Sequence, residues 1–327
     1  MCDSMQGKTD FPTPPASLIA AITPQSIPAM PTELLPLTDQ LQQRFGAALD
    51  AILLYGSSLR ESTPGEGVID FYVLVDDYCR AYDEKVLRYL NIWLAPNVFF
   101  LEVPAPNGGG MLRAKYAVIS TAHFEKAASH WFHPYIWARF AQPFELLFGR
   151  DETIVRRIRI VQARAIIRFL ETTLPMLPAG QVTVEQIWAS GLRLTYASEL
   201  RAERQSRSNL LMEINLPVYR RLTAAALPAL NPVLTLNAER QYVVSVTPAQ
   251  KFRARVNWRL RRWQGRVLSI LRLSKATLTF RDCLDYAAWK IERHTGVRVE
   301  ITPMLRRHPV LWGYKVMWQL LRRGVLR

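Results

Sequence analysis

Two β-rich runs flank a small-residue loop near the start of the chain, and few folds accommodate that arrangement. The run Ala51-Ile52-Leu53-Leu54-Tyr55 stops on Gly56-Ser57-Ser58, the mark of a strand giving way to a loop. Residues 68–75 are β-rich again, through Ile69, Phe71, Tyr72, Val73 and Val75, and close at Asp76-Asp77. Ahead of the first run, Leu37, Leu41, Phe45, Ala48 and Leu49 fall at i, i+4, i+8, i+11 and i+12, which predicts an amphipathic helix. Residues 82–94 read as a helix and 98–103 as a strand; a glycine turn at Gly108-Gly109-Gly110 leads to a strand over 115–120. The α–β–β–α–β–β order predicts an α/β domain over 37–150, a mixed sheet with helices.

The rest of the chain has a different character. Residues 1–36 carry seven prolines, from Pro12 to Pro36, and predict an irregular arm with at most one short turn of helix. Residues 151–300 predict a mainly helical domain, with amphipathic patterns over 150–172 and 184–206 and a strand over 242–246. Charge is the outlying property: 42 Lys+Arg against 27 Asp+Glu gives +15, which draws a protein towards polyanions. The excess is concentrated. Residues 240–281 contain eleven Lys+Arg and no acid, interleaved with Phe252, Trp258 and Trp263. The tail over 301–327 is also acid-free, with Arg306, Arg307, Lys315, Arg322, Arg323 and Arg327. A helix opening at Pro309 aligns Val310, Tyr314, Met317, Trp318 and Leu321 on one face, a basic amphipathic C-terminal helix suited to a bilayer interface.

The Gly-Ser loop with an Asp 13 residues beyond Ser57 fits the chemistry of nucleotidyl transfer. A triphosphate is held by backbone N–H groups of a small-residue loop, and a divalent metal bridges its phosphates from carboxylates on an adjoining strand. Gly56 lets the backbone approach phosphate, Ser57 offers a hydroxyl, and Asp70 is the candidate metal ligand. Nucleotidyltransferase-type strands usually carry a second carboxylate two residues on, and that position here is Tyr72. Asp76, Asp77 and Glu102 are the nearby acids that could take its place, Glu102 from within the apolar run 98–103.

Three blocks stand out: Tyr55-Gly56-Ser57, Ile69-Asp70-Phe71 with Asp77 seven positions on, and Lys115-Tyr116-Ala117-Val118-Ile119-Ser120. In these the chain resembles the mitochondrial-type (translocator assembly and maintenance) phosphatidate cytidylyltransferases. The likeness continues through Trp131, Tyr135, Ala138-Arg139-Phe140 and Gln142-Pro143, then more weakly through Leu194-Thr195-Tyr196, Glu199-Leu200-Arg201 and residues 286–296. Ala117 and Ala138 stand where the family has glycine, Gln142 where it has lysine, and residues 79–82 lack its Trp-His pair. These departures leave the acceptor lipid open.

The resemblance implies a nucleotidyltransferase-like α/β domain, Mg²⁺ as cofactor, and conversion of CTP and phosphatidate, or a related lipid phosphate, to CDP-diacylglycerol and pyrophosphate. It implies Asp70 and Lys115 as catalytic residues, with Tyr55, Gly56, Ser57, Ser58, Lys115 and Arg139 around the nucleotide or lipid phosphate. Asp70, Asp77 and Glu102 form the expected metal set. Glu199 and Arg201 read as charges on a solvated helix.

No run reaches the roughly 18 apolar residues of a spanning helix, and the N-terminus lacks a signal-peptide pattern. The expected location is therefore the cytoplasm, peripheral on the inner face of the cell membrane, or the matrix side of the mitochondrial inner membrane in a eukaryote. An anionic membrane surface is the expected partner; no RNA-binding motif accompanies the basic segments. Cys2, Cys79 and Cys283 are too dispersed for a zinc site and read as unpaired thiols. Two other readings share these residues: a nucleotidyltransferase acting on RNA, protein or a small molecule, and an inactive membrane-binding scaffold of the same fold.

Overall fold

The computed structural model describes residues 13–22, 31–56, 68–106, 110–199 and 205–279. Ser57 and Ser58, residues 286–296 and the tail 301–327 lie outside them. Within the proline-rich arm a helix forms, α1 (Ala16–Ile22), longer than the single turn expected there. Its Leu18 is fully buried, and the Ser17 hydroxyl donates to the Ala225 carbonyl (2.9 Å), so tertiary contact holds a segment with little periodicity of its own.

α2 (Leu35–Phe45) leads into β1 (Leu49–Tyr55), and β2 (Val68–Val75) follows. Two helices, α3 (Tyr78–Ala81) and α4 (Lys85–Leu94), connect to the hairpin of β3 (Asn97–Pro104) and β4 (Met111–Ser120). After α5 (Thr121–His130) and α6 (Trp137–Phe140), β5 (Glu145–Gly149) completes a five-stranded sheet of order β3-β4-β2-β1-β5. β2 and β4 run parallel and the other three pairs antiparallel, so the expected α/β fold with a mixed sheet is what forms.

Strand alternation sends side chains to two cores. Ile69, Phe71, Val73 and Val75 pack with Leu37, Leu41 and Phe45 of α2. Tyr72, Leu74, Ala117 and Ile119 pack beneath Phe124, Trp137 and Phe140 of α5 and α6. Both faces of the sheet are covered, which explains why β1 and β2 read as nearly continuous apolar runs.

The second core continues into the helical part. α7 (Glu152–Thr173) starts where the Asp151 carboxylate accepts from the Ile154 N–H (2.9 Å). β6 (Gly180–Val182) precedes α8 (Val184–Tyr196), whose capping box exchanges bonds between Thr183 and Gln186. α9 (Gln205–Leu230), β7 (Leu234–Leu236), β8 (Tyr242–Val244) and α10 (Pro248–Thr279) complete the described chain, with a small sheet of order β6-β8-β7. Trp188 of α8 is sandwiched between Phe169 (centroids 4.7 Å apart) and Tyr219 (3.9 Å), and its indole N–H donates to the Thr223 hydroxyl (2.9 Å).

Cys79 is disulfide-bonded, which corrects the expectation of unpaired thiols; its partner lies outside the described residues. Sequence separation carries no information about which cysteines folding brings together. No helix among the described residues is long and apolar enough to cross a membrane.

α10 is fastened along its inner side. The Trp258 indole donates to the Thr172 carbonyl (2.9 Å), Arg261 to the Phe132 carbonyl (2.8 Å), and Lys275 to the Leu94 and Pro96 carbonyls. Gly265 lies against the Ser198 carbonyl so closely that a Cβ there would overlap it. Gly265→Ala is expected to cost about 1–3 kcal/mol in urea unfolding, while Arg266→Ala leaves the midpoint unchanged. Burial, and then the charge of Arg272, push the Lys275 amine from its ordinary 10.5 down to about 7. Between those values the unfolded chain binds the extra proton, so this contribution to stability rises with pH across the window and is lost as pH falls to 7. Urea midpoints measured from pH 7 upwards are expected to show that slope, and Lys275→Met to flatten it.

Candidate functional site

At the end of β1 the chain turns at Gly56 with φ of +86°, a conformation that favours glycine. Tyr55 is in register with Asp70 on β2, which brings the Asp70 carboxylate beside the turn. A Cβ on Gly56 would stand 3.4 Å from Asp70 Oδ2, so this residue meets both a backbone and a space requirement. On the other side of β2, Lys115 of the parallel strand β4 is directly opposite Asp70, and its Nζ lies 3.0 Å from Oδ1. Both side chains remain about one-quarter exposed, at 26% and 25%. Gly56, Asp70 and Lys115, from three elements, thus meet at one corner of the sheet. Ser57 and Ser58 follow it immediately but lie outside the described residues.

Tyr72 is two residues further along the same face and fully buried. Burial pushes its phenol well above the ordinary range, so at neutral pH it is uncharged. Arg139 donates to its hydroxyl (2.8 Å), which leaves Tyr72 no capacity to replace a carboxylate anion. The Arg139 guanidinium lies over the rings of Tyr135 (4.5 Å), Tyr55 (5.3 Å) and Tyr72 (5.9 Å). It also pairs with Glu199 (3.7 Å). The geometry makes Arg139 a brace beneath the turn, gripping the residue next to Gly56 and the residue two beyond Asp70. Glu199 belongs to this knot, with a side chain only 15% exposed, and is not the solvated charge expected from its helical neighbourhood. Arg201 lies outside the described residues.

The other two expected metal ligands are elsewhere. Asp77 follows the far end of β2, roughly 20 Å from Asp70 at the usual strand rise. There its carboxylate caps α3, accepting from the Cys79 N–H (2.5 Å). Glu102 shares the sheet face of Asp70, but two strands away and one row along, roughly 12 Å by strand spacing. It is ion-paired with Arg113 (2.9 Å). The set Asp70, Asp77, Glu102 is therefore not assembled, and among the described residues no three His, Cys, Asp or Glu side chains converge as metal ligands. The physical reason is the strand itself: seven extended residues carry a side chain away from a site, not back to it.

A Mg²⁺ ion keeps several waters and is commonly bound through one or two carboxylates plus substrate phosphates. Asp70, with Oδ2 facing the Gly56 turn, fits an ion carried on a triphosphate. It does not fit a metal cage built by protein alone.

A second charged cluster, which sequence reasoning missed, closes the opposite end of the sheet. Asp50 is buried in β1; it accepts from the Thr121 hydroxyl (2.5 Å), and Arg150 lies 2.8 Å away. Burial pushes its carboxyl up, opposed by Thr121 and Arg150. Asp76 pairs with Arg80 in the same region. An acid inside the apolar run 49–55 was the available signal, and these contacts hold β1, β5 and α5 together.

Compared with known proteins, the chain matches no protein-family model and none of the curated proteins.

Arg139→Met removes the guanidinium from Tyr72 and Glu199 in a largely buried site and is expected to cost about 3 kcal/mol in thermal or urea unfolding. The double substitution Arg139→Met with Glu199→Gln is expected to recover part of that loss, because the carboxylate no longer needs a counter-charge.

Proposed function

We propose that the chain is a Mg²⁺-dependent nucleotidyltransferase that joins CTP to the phosphate of phosphatidate or a related lipid, giving a CDP-lipid and pyrophosphate. The observation that carries this reading is the corner where the Asp70 carboxylate faces the Gly56 turn and pairs with Lys115 on the parallel neighbour. A cation and an anion beside a glycine turn suit a metal-triphosphate: Lys115 attracts phosphate oxygens once Asp70 turns to the incoming ion. The choice of CTP and of a lipid acceptor comes from the sequence resemblance, whose blocks at 55–57, 69–71, 115–120 and 135–143 contribute to this corner or its Arg139 brace. A nucleotidyltransferase-like α/β fold is part of the same proposal.

In the reaction an oxygen of the lipid phosphate attacks the α-phosphorus of CTP. The bond from that phosphorus to the oxygen bridging to the β-phosphate breaks, and pyrophosphate leaves. Bound Mg²⁺ would neutralise charge on the phosphates. Asp70 would hold that ion, Lys115 binds phosphate oxygens, and Arg139 keeps Tyr55 and Tyr72 rigid beneath the turn. Positioning and electrostatic stabilisation supply most of the rate gain in such transfers.

One observation favours a different reading, an inactive scaffold that retains the fold: Tyr72 is neutral and engaged, and Asp77 and Glu102 stand apart from Asp70. Incubation of purified protein with labelled CTP, Mg²⁺ and phosphatidate-containing vesicles separates the two. A labelled CDP-lipid is expected, with the rate falling about 100-fold or more in Asp70→Ala and in Lys115→Met. If no nucleotide is consumed with any lipid phosphate, the lipid-transferase reading fails.

A further inference from the structure

α10 has a second face that the fold leaves uncovered by any described residue. At about 100° per residue, Phe252, Val256, Leu260, Trp263, Val267 and Leu271 form one stripe along the helix, opposite the inner side that carries Trp258, Arg261 and Arg272. All six are exposed, Phe252 and Trp263 to 69%. Arg255, Arg259, Arg262 and Arg266 form a ridge along one flank of the stripe, at the same helical period. Next to α10, and tied to it where Lys275 donates to the Leu94 carbonyl, α4 exposes Val86, Tyr89 and Trp93, the last to 87%. Exposed apolar surface of this extent on a water-facing helix marks an interaction site.

We infer that the outer face of α10, with α4 beside it, docks on an anionic lipid bilayer. Charge selects this occupant. Arg255, Arg259, Arg262 and Arg266 flank the stripe and residues 240–281 contain no acid, so a negative surface complements this face. The tail 301–327 is also acid-free with six Lys+Arg, and as a cover it would set like charge against like. A second copy packed stripe to stripe would bring two arginine ridges together. Single-stranded nucleic acid answers the charge but not the stripe, since Val256, Leu260, Val267 and Leu271 offer no ring for a base to stack on. Acyl chains accept aliphatic and aromatic side chains alike, and arginine stems lie along them with the guanidinium at the headgroups.

The inference extends the lipid-acceptor reading, since it names the surface that would bring the transferase corner to its acceptor. The inner side of the same helix carries Arg272, whose guanidinium lies 3.8 Å over the Tyr135 ring that Arg139 also contacts. Docking and the corner are thus linked through one rigid helix.

The test is co-sedimentation of the full chain with vesicles of phosphatidylcholine alone or mixed with phosphatidylglycerol, at low and high salt. Binding to the anionic vesicles only, weakened by salt, is expected. Arg259→Gln/Arg262→Gln/Arg266→Gln should lower the partition constant roughly 100-fold. Leu260→Ser/Trp263→Ser should also release the protein, with unfolding midpoints unchanged because these side chains are exposed. The inference is overturned if both variants bind like the unaltered chain, or if Arg322→Gln/Arg323→Gln in the tail alone abolishes binding. It is equally overturned if the unaltered chain ignores anionic vesicles, if Trp263→Ser breaks a dimer, or if RNA displaces the vesicles and still binds the apolar variant. Vesicle binding without CDP-lipid formation would leave the docking face standing and remove the transferase reading alone.

Discussion

β2 is hydrogen-bonded along its length on both sides, antiparallel to β1 and parallel to β4, and its side chains enter cores on both faces. A strand so constrained has one register, because a slip of one residue would exchange Tyr72 and Leu74 for Phe71 and Val73 between two differently shaped cores. That register places Asp70 at the end of the strand, on the same face as Tyr72, opposite Lys115 and beside Gly56. The corner is accurate because it is the terminus of something that cannot shift. It stays reachable because the cores end there: Asp70 and Lys115 are partly exposed, while Tyr72, two residues inward, is not.

Behind the corner, a charged group is held where charges are costly. Arg139 lies among the rings of Tyr55, Tyr72 and Tyr135, and has a phenol and a carboxylate as partners. Burial opposes the charge; the ring faces, the hydroxyl and Glu199 offset it. The arrangement spans β1, β2, α6 and the segment after α8, so the sheet and the helical part are joined at the corner itself. Tyr72, two residues inward from Asp70, serves this brace through its hydroxyl and its ring.

Long α10 presents two different faces by helical phase alone. One side is packed and bonded through Trp258, Arg261, Gly265 and Lys275, and the other carries the apolar stripe and its arginine ridge. The helix is also highly basic, yet Arg261 and Lys275 are buried and bonded to carbonyls, and the flanking arginines face outward. Net charge alone could not distinguish structural cations from those free to meet a partner.

The α/β character, the run of β1 and β2 on either side of the Gly56 loop, and the pairing of Gly56 with Asp70 were legible in the sequence, because they depend on residues close together in the chain. Helical period likewise foretold α7 and α8, whereas α1 and the proline-containing α9 have weak patterns and rest on tertiary packing. The metal set was misread for a reason of distance. Asp77 is near Asp70 in sequence but lies beyond the other end of an extended strand, and Glu102 faces the same way but is neutralised by Arg113 on the adjoining strand. Conversely, Glu199 resembles an ordinary surface acid as a letter, and only packing gave it the enclosed Arg139 as partner, while the buried Asp50 meets Arg150, which stays partly exposed. By itself the sequence determined the elements with strong local patterns and where the loop and its acid lie, since propensity and periodicity are local. The tertiary structure alone decided which charges meet, which cations are enclosed and which apolar face is left uncovered, because those depend on contacts between residues far apart in the chain.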